Sequence, residues 1–239
     1  MKSEPILHGP ILHEPILHEP MHLYLDSADL EQLRDGLESP VVYGVTTNPT
    51  LLRRANLTRA SLPGFVSSIL DLGARAVQLQ VWSQDANGIL RDARNFLEYG
   101  PPGSIVPKIP ATRDGLKAAA ILSREGVPVT LTAVYALEQA LFASQLGVAY
   151  AAPYLGRLED SGQDGLGLIQ KMQTLISRYP TNQTRLLVAS ARTRGAVLSL
   201  LEIGVGSITV PTKLLPKLLD HPQTLEAERT FRADADAMG

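Results

Sequence analysis

From residue 22 to residue 211, short apolar runs alternate with longer stretches in which apolar positions recur every three or four residues. The short runs are rich in β-branched residues and read as strands at 23–26, 41–48, 76–81, 104–110, 127–132, 150–154, 185–190 and 207–211. The longer stretches read as helices. The first, 28–37, puts Leu30, Leu33 and Leu37 on one face, with Ser27 placed to cap it. A second begins at Pro49, and a third, 62–72, is ended by Gly73. Others are expected at 86–99, at 112–125 behind Thr112, at 135–146 (apolar nearly all round, ended by Gly147), and at 168–179 after a Gly-rich loop, 161–167. The last ones fall at 194–203, 214–219 and from Thr224 onward. Eight strands alternating with helices at roughly 25-residue spacing predict an α/β chain folded as a TIM (β/α)8 barrel. A doubly wound open sheet is the runner-up. Against it, no strand leads into a Gly-x-Gly-x-x-Gly or Walker loop.

The first twenty residues follow another rule. Pro5, Pro10, Pro15 and Pro20 recur every fifth residue, with Ile-Leu-His between them. Prolines at that spacing forbid a continuous helix, and the unit is too short for a solenoid. Residues 1–20 are therefore expected to be an extended arm and 21–239 the catalytic barrel domain. In an extended arm, His8, His13 and His18 do not converge on one point, so docking on a neighbouring subunit is the expected use rather than metal binding.

Composition narrows the chemistry. The chain has 239 residues, 44% hydrophobic and 19% charged, enough for one large core. Its net charge is −2, and without the arm it has 21 basic and 21 acidic residues, so neither nucleic acid nor an anionic membrane is an expected partner. No apolar run approaches the roughly 20 residues of a membrane span. There is no cysteine, and outside the arm the histidines are His22 and His221. Thiol, Ser-His and His-rich metal chemistry are thereby excluded, and no metal or cofactor is expected. The start lacks the basic and apolar regions of a secretion signal, so a cytoplasmic location is expected.

One strand carries a lysine: Ser104-Ile105-Val106-Pro107-Lys108-Ile109-Pro110. Burial there strips hydration from the amine and disfavours its charged form. A neutral amine attacks carbonyl carbon, which suggests Schiff-base chemistry. The ordinary alternative is a strand-end lysine whose head reaches water. Lys213, just past the last strand, is the one serious rival, since Lys117 and Lys171 fall on helices.

In a barrel, function gathers at the C-terminal strand ends. The polar residues there are Asp26, Thr47, Asn48, Gln80, Lys108, Thr132, Tyr154, Arg157, Ser190 and Arg192. Each has an ordinary explanation: a helix cap for Asp26, a turn before Pro49 for Asn48, a satisfied core hydroxyl or amide for Thr132, Tyr154 and Gln80, surface ion pairs for the arginines. Together they put one amine, one carboxylate, two guanidiniums and several neutral donors around a single mouth.

The segments Leu23-Tyr24-Leu25-Asp26, Gly44-Val45-Thr46-Thr47-Asn48-Pro49, Val106-Pro107-Lys108-Ile109-Pro110, Thr132-Ala133-Val134-Tyr135, Ala152-Pro153-Tyr154-Leu155-Gly156-Arg157 and Val188-Ala189-Ser190 occur in order from about residue 22. In them the chain resembles the transaldolase family, in its small-subunit branch that includes fructose-6-phosphate aldolase. The resemblance implies a Schiff base at Lys108 and proton handling by Asp26. It implies sugar-hydroxyl contacts from Thr47 and Asn48, and a catalytic water held by Thr132 with Gln80. Arg157, Ser190 and Arg192 would bind the phosphate of a sugar-phosphate substrate. Gln80 and Tyr154 resemble the aldolase branch, where true transaldolases carry glutamate and usually phenylalanine, and Tyr154 would help protonate the enamine. Arg192 points to the transaldolases, and Gln78 and Ala191 are unusual for the family. The expected activity is a class I aldolase acting on the C3–C4 bond of fructose 6-phosphate. A true transaldolase using erythrose 4-phosphate as acceptor is the alternative, and a non-catalytic sugar-phosphate binder or assembly protein a further one. The resemblance also implies a homo-oligomer, a pentamer or decamer, in which the C-terminal helix reaches a neighbour.

Overall fold

A computed structural model describes residues 20–178 and 184–239. The expected arm, apart from Pro20, lies outside the described residues. The eight strands are β1 (His22–Asp26), β2 (Val42–Thr46), β3 (Ala76–Gln80), β4 (Ile105–Pro110), β5 (Thr130–Val134), β6 (Tyr150–Pro153), β7 (Arg185–Val188) and β8 (Ser207–Val210). They form a closed barrel in chain order, and every neighbouring pair is parallel, including β1 with β8. The expected TIM barrel is therefore the fold.

Helices fill the connections: α1 (Leu30–Leu37), α2 (Pro49–Arg54), α3 (Leu62–Asp71), α4 (Ala86–Leu97), α5 (Arg113–Arg124), α6 (Leu137–Leu146), α7 (Leu155–Asp160), α8 (Gly165–Ser177), α9 (Arg194–Ile203), α10 (Leu215–Leu219) and α11 (Pro222–Ala237). The two-residue strand period sorts the core. Leu23, Leu25, Val45, Val77, Leu79, Ile105, Ile109, Leu131 and Val188 face the helix ring and join its buried apolar residues. Tyr24, Ala76, Val106, Tyr150, Ala152 and Leu187 form a second cluster. In register with it, Thr46, Gln78, Lys108, Thr130, Thr132, Ser207 and Thr209 are also buried, so this side of the sheet is unusually polar. Several of its polar atoms pair with one another. Tyr150 meets both His22 Nδ1 (2.9 Å) and the Tyr24 hydroxyl (3.0 Å), and Thr130 donates to Gln78 Oε1 at 2.8 Å. His22 stacks on Tyr43 with ring centroids 3.7 Å apart, a packing role for a residue with no chemical context in sequence.

Three expectations shift. The first helix is capped by Asp29, whose carboxylate accepts from the N–H groups of Glu31 and Gln32; Ser27 instead accepts from the Asp29 N–H. The fifth strand starts at Thr130 rather than 127, because Pro128 has no N–H for the ladder, and it runs on to Val134 through a bulge at Ala133. The expected Gly-rich loop 161–167 is shorter, because Asp164 caps Gly167 N–H at 2.9 Å and α8 starts at Gly165.

Gly44 is required by close backbone approach. A Cβ there would collide with the Ala76 carbonyl oxygen of β3, whereas one at Gly64 in α3 would meet nothing within 4 Å. Gly44→Ala should cost about 1–3 kcal/mol as the strands are forced apart, lowering Tm by about 2–4 °C per kcal/mol. Gly64→Ala should be neutral or stabilising, as a helical alanine is. Thermal melts of both variants check the contrast.

Candidate active site

Lys108 sits in the middle of β4 with only 3% of its surface exposed. Its Nζ donates to the Thr47 carbonyl oxygen at 3.1 Å. Burial pushes the amine's pKa down, and the Asp26 carboxylate opposes this in part. The rival, Lys213, is exposed in a short 3-10 turn after β8, so the buried amine is Lys108.

Asp26, half-buried at the end of β1, accepts a 2.7 Å hydrogen bond from the Thr46 hydroxyl, which also lies 2.7 Å from the Thr209 hydroxyl of β8. A hydroxyl has one hydrogen and an ionised carboxylate only accepts. Thr46 therefore donates to Asp26, and Thr209 donates to Thr46. This chain fixes the orientation of the carboxylate. Thr46 and Thr209 are the residues that sequence reasoning missed. The signal was the two-residue alternation, which puts Thr46 on the face opposite Val45.

Thr132 and Tyr154 come together at the ends of β5 and β6, their hydroxyls 2.7 Å apart. Burial raises the Tyr154 pKa, against the hydrogen bond from Thr132 and the charge of Arg157, so the phenol keeps its proton at neutral pH. Gln80 ends β3 with its Cα paired to that of Lys108. Thr47 is fully buried. Its hydroxyl donates to the Gln78 carbonyl at 3.1 Å, and its own carbonyl receives Lys108. Asn48 caps α2, its Oδ1 accepting from Leu51 N–H at 3.1 Å. Its amide nitrogen takes no part in that cap.

The three expected phosphate ligands lie after β6 and β7. Arg157, on α7, stacks over the Tyr154 ring at 4.8 Å and donates to the Tyr135 hydroxyl at 3.3 Å. Ser190 follows β7 with φ +63°. Arg192 is exposed and donates through Nη1 and Nη2 to the two carboxylate oxygens of Asp160, at 2.8 and 2.6 Å. Ala133, next to Thr132, also has positive φ (+57°). Two non-glycine residues at strand ends thus hold the left-handed conformation, which costs about 1–2 kcal/mol each. Such strain gathers at working sites. A cleft of about 930 Å³ opens beside Asp26, lined among others by Leu30, Leu51, Arg54, Phe65 and Lys213.

An eight-stranded parallel barrel with a buried lysine and a carboxylate at its mouth defines a class of enzyme-like scaffold. At the level of fold, the solved structure of a mandelate oxidase mutant superposes with a TM-score of 0.56 at 17% identity, covering 81% of this chain and 65% of that one. At the level of family, the Transaldolase/Fructose-6-phosphate aldolase family matches residues 23–239. A protein of Nitrosopumilus maritimus named probable transaldolase is 36% identical over 214 residues, 90% of this chain and 94% of the relative. One of Aquifex aeolicus, of the same name, is 38% identical over 204 residues, 85% and 91% of the two chains. The chain belongs to the transaldolase/fructose-6-phosphate aldolase family, and it is an aldolase- or transaldolase-type enzyme. No helix among the described residues is long and apolar enough to cross a membrane.

Since burial holds Lys108 below the unfolded value of about 10.4, the unfolded chain binds more protons than the folded one between those two pKa values. The destabilisation from burying Lys108 is complete below the folded pKa and fades as pH rises to about 10.4. Lys108→Met should therefore show its largest stability gain relative to wild type at low pH, and the difference should shrink through the alkaline range. Urea midpoints of both proteins against pH test this, and a pH-independent difference contradicts it.

Proposed function

We propose that the enzyme is a class I aldolase that forms its Schiff base at Lys108 and acts on the C3–C4 bond of fructose 6-phosphate. The observation that carries this reading is the Lys108 amine, buried within a strand at the mouth where Asp26 stands. Lys108 Nζ attacks the C2 carbonyl, and loss of water from the carbinolamine leaves an iminium. Asp26 exchanges protons with the C2 oxygen as the carbinolamine forms and collapses. It next takes the C4 hydroxyl proton, the C3–C4 bond breaks, and its electrons pass into the iminium as an enamine. Glyceraldehyde 3-phosphate leaves. Protonation of the enamine at C3 and hydrolysis release dihydroxyacetone and restore Lys108.

Tyr154, a protonated phenol bonded to Thr132, is a proton source for the enamine, and Thr132 with Gln80 would hold the hydrolytic water. Thr47 and Asn48 would contact sugar hydroxyls. Arg157, Ser190 and Arg192 would bind the phosphate, since guanidinium forks suit a dianion. A second reading has support too: the relatives named probable transaldolase, together with Arg192, favour transfer of the three-carbon unit to an aldehyde acceptor. A homo-oligomer is part of the proposal. The sixteen-residue helix α11 buries none of its residues in its own subunit and exposes Leu225 and Phe231, with Met238 exposed just past its end, an apolar surface suited to a neighbouring copy.

Borohydride added with fructose 6-phosphate should leave a three-carbon adduct on Lys108, mapped by mass spectrometry. Dihydroxyacetone released without acceptor identifies the aldolase; turnover only with erythrose 4-phosphate identifies the transaldolase. An adduct on Lys213, or none, removes the assignment. Removing residues 222–239 should reduce the mass measured by light scattering to that of a smaller assembly, and an unchanged mass contradicts the role given to α11.

A further inference from the structure

Arg192 is a long, exposed side chain just beyond β7, and such a chain ordinarily samples many rotamers. Here two residues of α7 locate it. Asp160 takes both terminal nitrogens in a matched fork, 2.8 and 2.6 Å. Gly156 lets the guanidinium approach the helix backbone, because a Cβ there would lie 2.7 Å from Nε and 2.8 Å from Cζ. The same Cβ would lie 2.8 Å from the Ser190 carbonyl oxygen, so the contact joins α7 to the turn that carries Ser190 and Arg192. Gly156 and Asp160 are four residues apart and share one face of the helix. Arg157 lies on the same six-residue helix.

We propose that Asp160 is a positioning residue that holds Arg192 as a preformed fork for the substrate phosphate. The proposal rests on the reading that Arg192 binds that phosphate. The donor count of the guanidinium allows both partners at once. Asp160 engages the outer edge of the guanidinium, Nη1 and Nη2, and leaves the Nε–H and the second Nη2–H as a side fork. A planar group with five donors serves a carboxylate on one edge and a phosphate on another. An arginine already ordered loses less freedom when the phosphate arrives. The charge of Asp160 works against the incoming dianion, but both partners are more than half exposed, where solvent and salt screen the repulsion. Consistent with a formed pair, Arg192 holds Asp160 below the usual carboxylate range, and Asp160 raises the pKa of Arg192.

The test compares wild type, Asp160→Ala, Arg192→Ala and the double variant, with inorganic phosphate as a competitive inhibitor and fructose 6-phosphate as substrate. Asp160→Ala should raise the phosphate inhibition constant and KM about fivefold, a modest loss of preorganised binding, while kcat changes less than KM. Arg192→Ala should weaken both at least as much, and adding Asp160→Ala to it should weaken them no further. Unchanged or tighter phosphate binding in Asp160→Ala, with weakened binding in Arg192→Ala, overturns the positioning role and leaves the phosphate reading intact. Unchanged phosphate binding in Arg192→Ala overturns the phosphate reading, and the proposal falls with it.

Discussion

The site depends on one constraint: an amine is held in the middle of a strand, out of water, by a closed ring of eight strands. The ring supplies the burial that lowers the lysine's affinity for a proton. Within it, Nζ donates a hydrogen bond to the Thr47 carbonyl just past β2. The carboxylate that opposes the shift, Asp26, is tied down by a two-threonine chain spanning β2 and β8. A shift of β4 by one residue would turn Lys108 toward the helix ring and Ile109 inward.

Around that amine the barrel divides its polar groups by depth. Beneath it, Tyr24 pairs with Tyr150 and Thr130 with Gln78 Oε1, filling the space. Above it, Tyr154, Thr132, Gln80 and Asn48 stand at strand ends, and Ala133 and Ser190 carry backbone strain beside them. The two arginines of the mouth meet at α7, a helix of only six residues. It carries Arg157 directly and meets Arg192 through Gly156 and Asp160, so the two guanidiniums share one support.

The barrel was legible in the sequence because each strand is a short apolar run and each helix keeps its own period and stop signal. Lys108 was legible because a lysine between Val106 and Ile109 breaks an apolar run. The parts that were not legible depend on partners far along the chain. Thr46 and Thr209 look like ordinary strand formers, and only the closed barrel brings them together across 163 residues. Asp160 carried no signal in the sequence, and only the folding of α7 against the turn after β7 brings it to Arg192. Local competition accounts for smaller shifts: Asp29 outcompetes Ser27 as a cap, and Pro128 delays the fifth strand.

The central claim, a buried lysine amine held below its ordinary pKa, has a direct measurement. Wild type and Lys108→Met, both with 13C at the lysine ε position, would be titrated by NMR, the variant assigning the Lys108 signal by its loss. The account predicts that Lys108 titrates clearly below the other five lysines of the chain, with a carbon shift typical of a neutral amine at mildly alkaline pH. A Lys108 signal that titrates together with the others, near 10.4, would contradict it.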